Sequence, residues 1–180
     1  MKKLLNSALL SLCALLGGCA SSSLPPIAPV AQVDLPKFMG DWYVIACIPT
    51  AIETQAFNAI ESYKLDEDGT IATTFTFRKG AFNGPAKEYN PRGFVKENTG
   101  NALWGMQFIW PIKADFRIAY LDPDYTTTVI ARNARDYVWI MARTPTISDA
   151  QYTDLLKFVE DLGYDISKMR KVPQQWDTPS

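Results

Sequence analysis

The sequence predicts an all-β domain of eight antiparallel strands, a sandwich or a barrel, followed by one helix. Three observations predict it. From Phe38 to Arg143, short segments of alternating apolar residues and turn residues succeed one another at close spacing. Turn clusters such as Asp66-Glu67-Asp68-Gly69 and Asn98-Thr99-Gly100-Asn101 separate the segments. After Ser148 the apolar period lengthens from two residues to the helical repeat.

The elements follow in order. Lys2 and Lys3 precede an apolar run, Leu4 to Leu16, too short to cross a membrane as a helix, so residues 1–18 have the form of a secretory signal peptide. Leu16-Gly17-Gly18-Cys19 resembles the lipobox of bacterial lipoproteins. That resemblance implies cleavage before Cys19, lipidation of its thiol and acylation of the new amine; several acyl chains anchor stably where one does not. Ala20, rather than Asp, then implies sorting to the outer membrane, with the domain facing the periplasm. The Ser- and Pro-rich stretch up to residue 36 is expected to be an extended tether, reaching on the order of 40 Å. Expected strands run over 42–48, 59–65, 70–78, 89–96, 103–110, 116–121, 126–131 and 137–143. Ser148 and Gln151 have capping-box spacing, Ile147 can staple onto Tyr152, and Tyr152, Leu155, Leu156, Val159 and Leu162 form one apolar stripe ending at Gly163.

Composition narrows the chemistry. The 180 residues suit one domain plus the leader, and 47% apolar against 21% charged residues is a globular balance. Net charge is −1, and losing Lys2 and Lys3 takes it to −3, so nothing points to nucleic acid. There is no histidine, which removes the commonest general base and zinc ligand. Once the leader is gone and Cys19 is lipidated, Cys47 is the remaining thiol: a small buried apolar residue or an exposed thiol. No cofactor and no metal site are expected.

Three short signals now combine. Gly40-Asp41-Trp42-Tyr43 opens the domain, Asp122-Pro123-Asp124-Tyr125 lies between two later strands, and Arg143-Thr144-Pro145 ends the last. In this order and spacing they resemble the lipocalin signature, nearest to the bacterial outer-membrane lipoprotein lipocalins, over about residues 38 to 176. The resemblance implies an eight-stranded up-and-down calyx barrel over 37–180, with the amphipathic helix packed outside. It also implies that Trp42 closes one end beneath Arg143, a cation–π pair.

Strand alternation, anchored on that pattern, then places side chains inside. Val44, Ala46, Glu61, Tyr63, Thr73, Phe75, Phe77, Trp104, Met106, Phe108, Phe116, Ile118, Tyr120, Tyr137, Trp139 and Met141 are expected there. Trp42, Trp104 and Phe116 are assigned to the floor. Glu61, Tyr63, Phe75, Phe77, Phe108, Tyr120, Tyr137 and Trp139 are the candidate ligand-binding residues. These aromatics either wall an open calyx or fill the barrel, since eight strands leave room for side chains or one small ligand. Glu61 is an acid at an inward position; it contacts a ligand's polar end or a cation, pairs with an interior Tyr, or faces out after a one-residue slip. The loop over 50–58, with Ile52, Glu53 and Phe57, is a candidate lid over the mouth, and Gln107 to Pro111 is a rim segment able to touch a membrane.

Three function classes follow. The leading one is a membrane-anchored protein binding a fatty acid or lysophospholipid for lipid storage, transport or envelope maintenance. The second is a structural or interaction lipoprotein with a filled barrel. The third, an enzyme using Glu61 and Tyr hydroxyls, lacks an identifiable nucleophile, and no enzyme is expected.

Overall fold

The computed structural model describes residues 24–176. Ten strands form one antiparallel sheet: β1 (Gly40–Ile48), β2 (Ala56–Leu65), β3 (Thr70–Lys79), β4 (Ala86–Tyr89), β5 (Arg92–Val95), β6 (Leu103–Ile109), β7 (Ile112–Leu121), β8 (Thr127–Ala131), β9 (Val138–Ala142) and β10 (Arg170–Lys171). β1 pairs with β9, which closes the sheet into a barrel. The expected fourth strand is broken at Asn90-Pro91 into β4 and β5, both pairing with β3, so the barrel has eight staves. Proline supplies no ladder donor, which accounts for the break.

Helix α1 (Leu35–Phe38) crosses one end of the barrel, and α2 (Asp149–Asp161) packs outside. The Ser148 hydroxyl accepts the Gln151 N–H at 3.1 Å, but the Gln151 amide turns to the Thr127 hydroxyl instead of completing a capping box. Leu155 and Val159 are buried against an outer cluster that includes Ile45, Ala46, Val129, Val138 and Ile140. A separate inner cluster runs through Trp42, Val44, Cys47, Tyr63, Phe75, Trp104, Phe116 and Met141. The barrel wall therefore buries both faces where the helix covers it.

Two β-bulges change which residues face in. In β1 the register shifts between Val44 and Ala46, so Ala46 packs outside and Cys47 packs inside. In β7 it shifts between Ile118 and Tyr120. Ile118 is inward, but Tyr120 points out against Phe158 of α2, 5.6 Å between ring centroids. One extra residue inverts strand parity beyond it, which is why strict alternation misplaces Ala46 and Tyr120.

The segment expected to be a free tether is not free from Leu24 onward. Ile27 and Val33 are buried. The Ile27 N–H donates to Asn133 Oδ1 at 2.8 Å, Val30 N–H to the Ile118 carbonyl at 2.9 Å, and Val33 N–H to the Gly100 carbonyl at 2.8 Å. Gly100 has φ +59°, and a Cβ there would meet the Ala31 carbonyl oxygen at 1.9 Å, so the strap needs glycine beneath it. The expected signal peptide and Cys19 lie outside the described residues.

The chain's last stretch was invisible to pattern reading. β1 pairs with β2 only over Gly40–Tyr43; further along, β10 takes the place of β2 beside Ala46 and Cys47. Residues 170–175 bond to both strands: Val172 N–H to the Ile45 carbonyl at 2.9 Å, Arg170 Nη2 to the Ala56 carbonyl at 2.8 Å, Gln174 Nε2 to the Val44 carbonyl at 2.9 Å. Asn58 N–H donates to the Pro173 carbonyl at 2.9 Å. The carboxyl-terminal segment is a wedge in the β1–β2 seam.

Candidate ligand-binding cavity

The closed end is built around Arg143. Its guanidinium carbon lies 3.8 Å from the Trp42 ring centroid. Its nitrogens donate to the carbonyls of Asp41 at 2.7 Å, Lys37 at 2.8 Å, Phe38 at 3.0 Å and Met39 at 2.8 Å. One side chain thus ties the last strand to the first and to α1. Gly40 has φ +92°, and a Cβ would come within 3.4 Å of Arg143 Nη1, which explains the glycine two residues before Trp42. The Asp122 carboxylate accepts from the Thr126 and Thr127 N–H groups, setting the turn into β8, and the Tyr125 hydroxyl accepts the Asp34 N–H at 2.9 Å.

Above this seal lies an aromatic floor. Phe38 contacts Trp42, Tyr63 and Trp104 at centroid distances of 5.1, 5.5 and 5.6 Å. Trp104 stacks on Phe116 at 4.9 Å. Tyr63 is therefore a floor residue, not a wall residue. Its buried hydroxyl has no hydrogen-bond partner.

Over the floor is a cavity of about 160 Å³, bordered by Glu61, Phe75, Met106, Phe116 and Trp139, with Thr50, Ile52, Glu53, Phe108 and Arg132 nearer the opening. Of the eight candidate binding residues, Glu61, Phe75, Phe108 and Trp139 border it. Phe108 stands at the rim, half exposed, because the β6–β7 register shifts between Met106 and Ile109. Phe77, two residues nearer the open end than Phe75, is buried against Phe75 and Tyr89 and does not border the cavity. Tyr137 precedes β9; its ring lies 5.3 Å from the Arg132 guanidinium carbon and 6.3 Å from the Trp139 ring, behind these two rather than bordering the cavity itself. Phe57 faces away to Phe82, so the lid consists of Thr50 to Glu53 without it.

Glu61 pairs in register with Trp42 on one side and Phe75 on the other, low in the barrel. What remains accessible of it is cavity surface. Burial, and then the charge of Glu53, push its carboxyl up to about 8, against a smaller opposite pull from the Tyr63 hydroxyl. That hydroxyl is not aligned for a formed hydrogen bond. Glu61 is thus mostly protonated at neutral pH.

Glu53 is the residue that sequence reasoning undervalued. It is buried, accepts Trp139 Nε1 at 2.7 Å and the Thr50 N–H at 2.8 Å, and so pins the lid loop to β9. An acid in an apolar loop was the only signal; its partner lies 86 residues away. Arg132 was also missed: at the open end, its Nε is buried without a hydrogen bond, 3.4 Å from Asp136 Oδ1. Cys47 is buried inside the wall, and burial pushes its thiol far up, so the inert alternative applies. Among the described residues no group of three or more acidic or cysteine side chains is placed to hold a metal.

A barrel sealed at one end by an Arg–Trp pair and opening through apolar walls at the other is the architecture of a ligand-carrying cup. The lipocalin-like domain model matches residues 33–174, and the chain belongs to the lipocalin family. It is similar to temperature-induced lipocalin-1 of Arabidopsis thaliana, 31% identical over 164 residues, covering 83% of each chain. It is also similar to the outer membrane lipoprotein Blc of Escherichia coli strain K12, 30% identical over 166 residues, covering 86% of this chain and 88% of that one. Among solved structures it resembles insecticyanin from the tobacco hornworm Manduca sexta, with a TM-score of 0.65, 18% identity, and coverage of 85% and 86%. At that identity the likeness concerns the fold.

Proposed function

We propose that this lipocalin binds one fatty acid or lysophospholipid-like amphiphile, tail inward, while anchored in the outer membrane through lipidated Cys19. The observation that carries this is the cavity between Phe75, Met106, Phe116 and Trp139, apolar on its walls and open at Ile52 and Phe108. A protonated Glu61 at its base tolerates an apolar chain, and Arg132, ion-paired with Asp136 at 3.4 Å, puts a cation near the opening that suits a carboxylate or phosphate. The anchor rests on Leu16-Gly17-Gly18-Cys19 and Ala20, and the outer membrane lipoprotein Blc, a relative over most of both chains, supports it. The reading is of a binding protein, not an enzyme, with its domain in the periplasm.

One observation favours the filled-barrel alternative. The cavity is below the usual size of a ligand pocket and close to an engineered ~150 Å³ cavity that holds a benzene. Mass spectrometry of lipids extracted from gently purified protein separates the two. Stoichiometric fatty acid or lysolipid, shifted to longer chains in Trp139→Ala and, for anionic headgroups only, reduced in Arg132→Gln, supports the binding reading. Protein that carries no lipid and takes up none when offered it supports the structural one. Labelled palmitate should enter the wild type and not Cys19→Ser; label in the mutant refutes the anchor.

A further inference from the structure

The exposed large apolar side chains are not scattered. Of nine such residues among those described, seven stand at the cavity's end of the barrel: Leu24, Ile52, Phe82, Phe108, Ile109, Trp110 and Ile112. The closed end shows Leu65. Four of the seven crown the β6–β7 hairpin, with 53% of Phe108, 71% of Ile109, 83% of Trp110 and 68% of Ile112 exposed. Side chains of this kind packed together on one tip are more than a soluble surface ordinarily carries. A hairpin offers no groove in which a protein ligand would bury both faces, whereas a projecting Trp flanked by Ile suits the boundary between lipid headgroups and acyl chains.

The path of the chain's beginning points the same way. From Val33 at the closed end the strap climbs the barrel wall backward to Leu24. There the Pro25 carbonyl accepts Arg135 Nη2 at 2.7 Å, and Ile27 N–H bonds Asn133, both in the β8–β9 turn that borders the mouth. Cys19 is five residues upstream of Leu24, no more than ~18 Å even at full extension. A strap ending at the closed end would have hung the cup mouth-up; this one delivers an anchor beside the mouth.

We infer that the barrel docks mouth-down on a lipid bilayer, with the Phe108–Ile112 hairpin tip inserted at the interface and the cavity opening against the membrane. The side from which the anchor reaches the bilayer rests on the lipidation of Cys19; the insertion of the tip does not. In this pose an amphiphile passes between membrane and cavity without crossing water, and a tail longer than the cavity keeps its remainder among Ile52, Phe108 and lipid.

The test places the acylated full-length protein in phosphatidylcholine vesicles whose acyl chains carry bromine near the headgroup. Brominated vesicles should quench the wild-type tryptophan emission, and Trp110→Phe should lose at least half of that quenching. Trp176→Phe, which removes an exposed indole away from the mouth, should keep it. A membrane-attached protein with equal quenching in the wild type and Trp110→Phe overturns the docking and leaves the anchor standing. If instead Cys19 carries no acyl chain, the anchor fails, and vesicles added to the same protein still decide the docking: Trp110-dependent quenching supports it and its absence overturns it.

Discussion

Two residues hold most of the chemistry at the smallest scale, and each yields a prediction. Glu61 has its carboxyl raised from 4.5 to about 8 by burial first and by Glu53 second. The folded state therefore keeps a proton that the unfolded chain releases above its ordinary value. Between pH 4.5 and about 8 the folded state binds more protons, so this group's contribution to stability falls as pH rises and levels off above 8. Glu61→Gln should remove that slope: little different from the wild type at pH 4.5, and more stable at pH 8.5 by up to about 5 kcal/mol. Urea unfolding of both proteins across this range checks it; parallel curves would put Glu61 in contact with solvent. Apolar-tail affinity should weaken over the same upper limb for neutral and anionic ligands alike, because the ionised form sits at the cavity base. Arg143 is the other residue. Arg143→Ala strips donors from five carbonyls and exposes the Trp42 face, which should cost about 2–4 kcal/mol. Trp42→Ala should cost about 3–5 kcal/mol as a core truncation. The double mutant should fall short of the sum by about 1 kcal/mol or more, since the two share one contact; additive losses would contradict the stacked geometry.

At the scale of elements, the legible and the illegible parts of the chain separate for physical reasons. Strand existence followed from alternation and turn residues, and the helix from its stripe and Ser148. Trp42, Arg143 and Gly40 were legible because each occupies a motif position with one steric solution. Phe75 and Trp139 fell beside the cavity because no bulge separates them from the residues used to set the phase. Tyr120 failed because a bulge at Ala119 leaves no mark in sequence, and Tyr137 because β9 begins one residue later. The carboxyl-terminal wedge had no periodicity to betray it: two paired residues and a run of side chains bonding to strands more than a hundred positions away. Its importance is open to measurement. Ending the chain before Arg170 unpairs the carbonyls of Ala56, Ile45 and Val44 and removes buried Val172. At about 1 kcal/mol per net hydrogen bond plus the lost apolar contact, the truncation should destabilise by about 3–6 kcal/mol. Hydrogen exchange should rise first in the amides of β1 beyond Tyr43 and in the start of β2. Unchanged protection there would show that the β1–β2 seam closes without the wedge.

For the whole molecule, the size of the cavity governs what a mouth-down cup can carry. Each methylene moved from water into the barrel contributes about 0.8 kcal/mol, roughly fourfold in affinity. The cavity of about 160 Å³ is nearly the volume that takes a benzene, so a chain should fill it after roughly six carbons. In a series of saturated fatty acids or lysolipids, affinity in detergent-free solution should climb about fourfold per carbon and then flatten near that length. Trp139→Ala should shift the plateau to longer chains by opening the wall beside Phe75, provided Glu53, left without the indole donor, still folds the lid through Thr50. Titration of a fluorescent probe displaced by each chain length gives the curve. A climb continuing to sixteen carbons in the wild type would mean that the barrel opens well beyond its present volume on binding. A line flat from the shortest chain would mean that the aromatic interior is a core, and that the mouth serves the membrane without carrying a ligand.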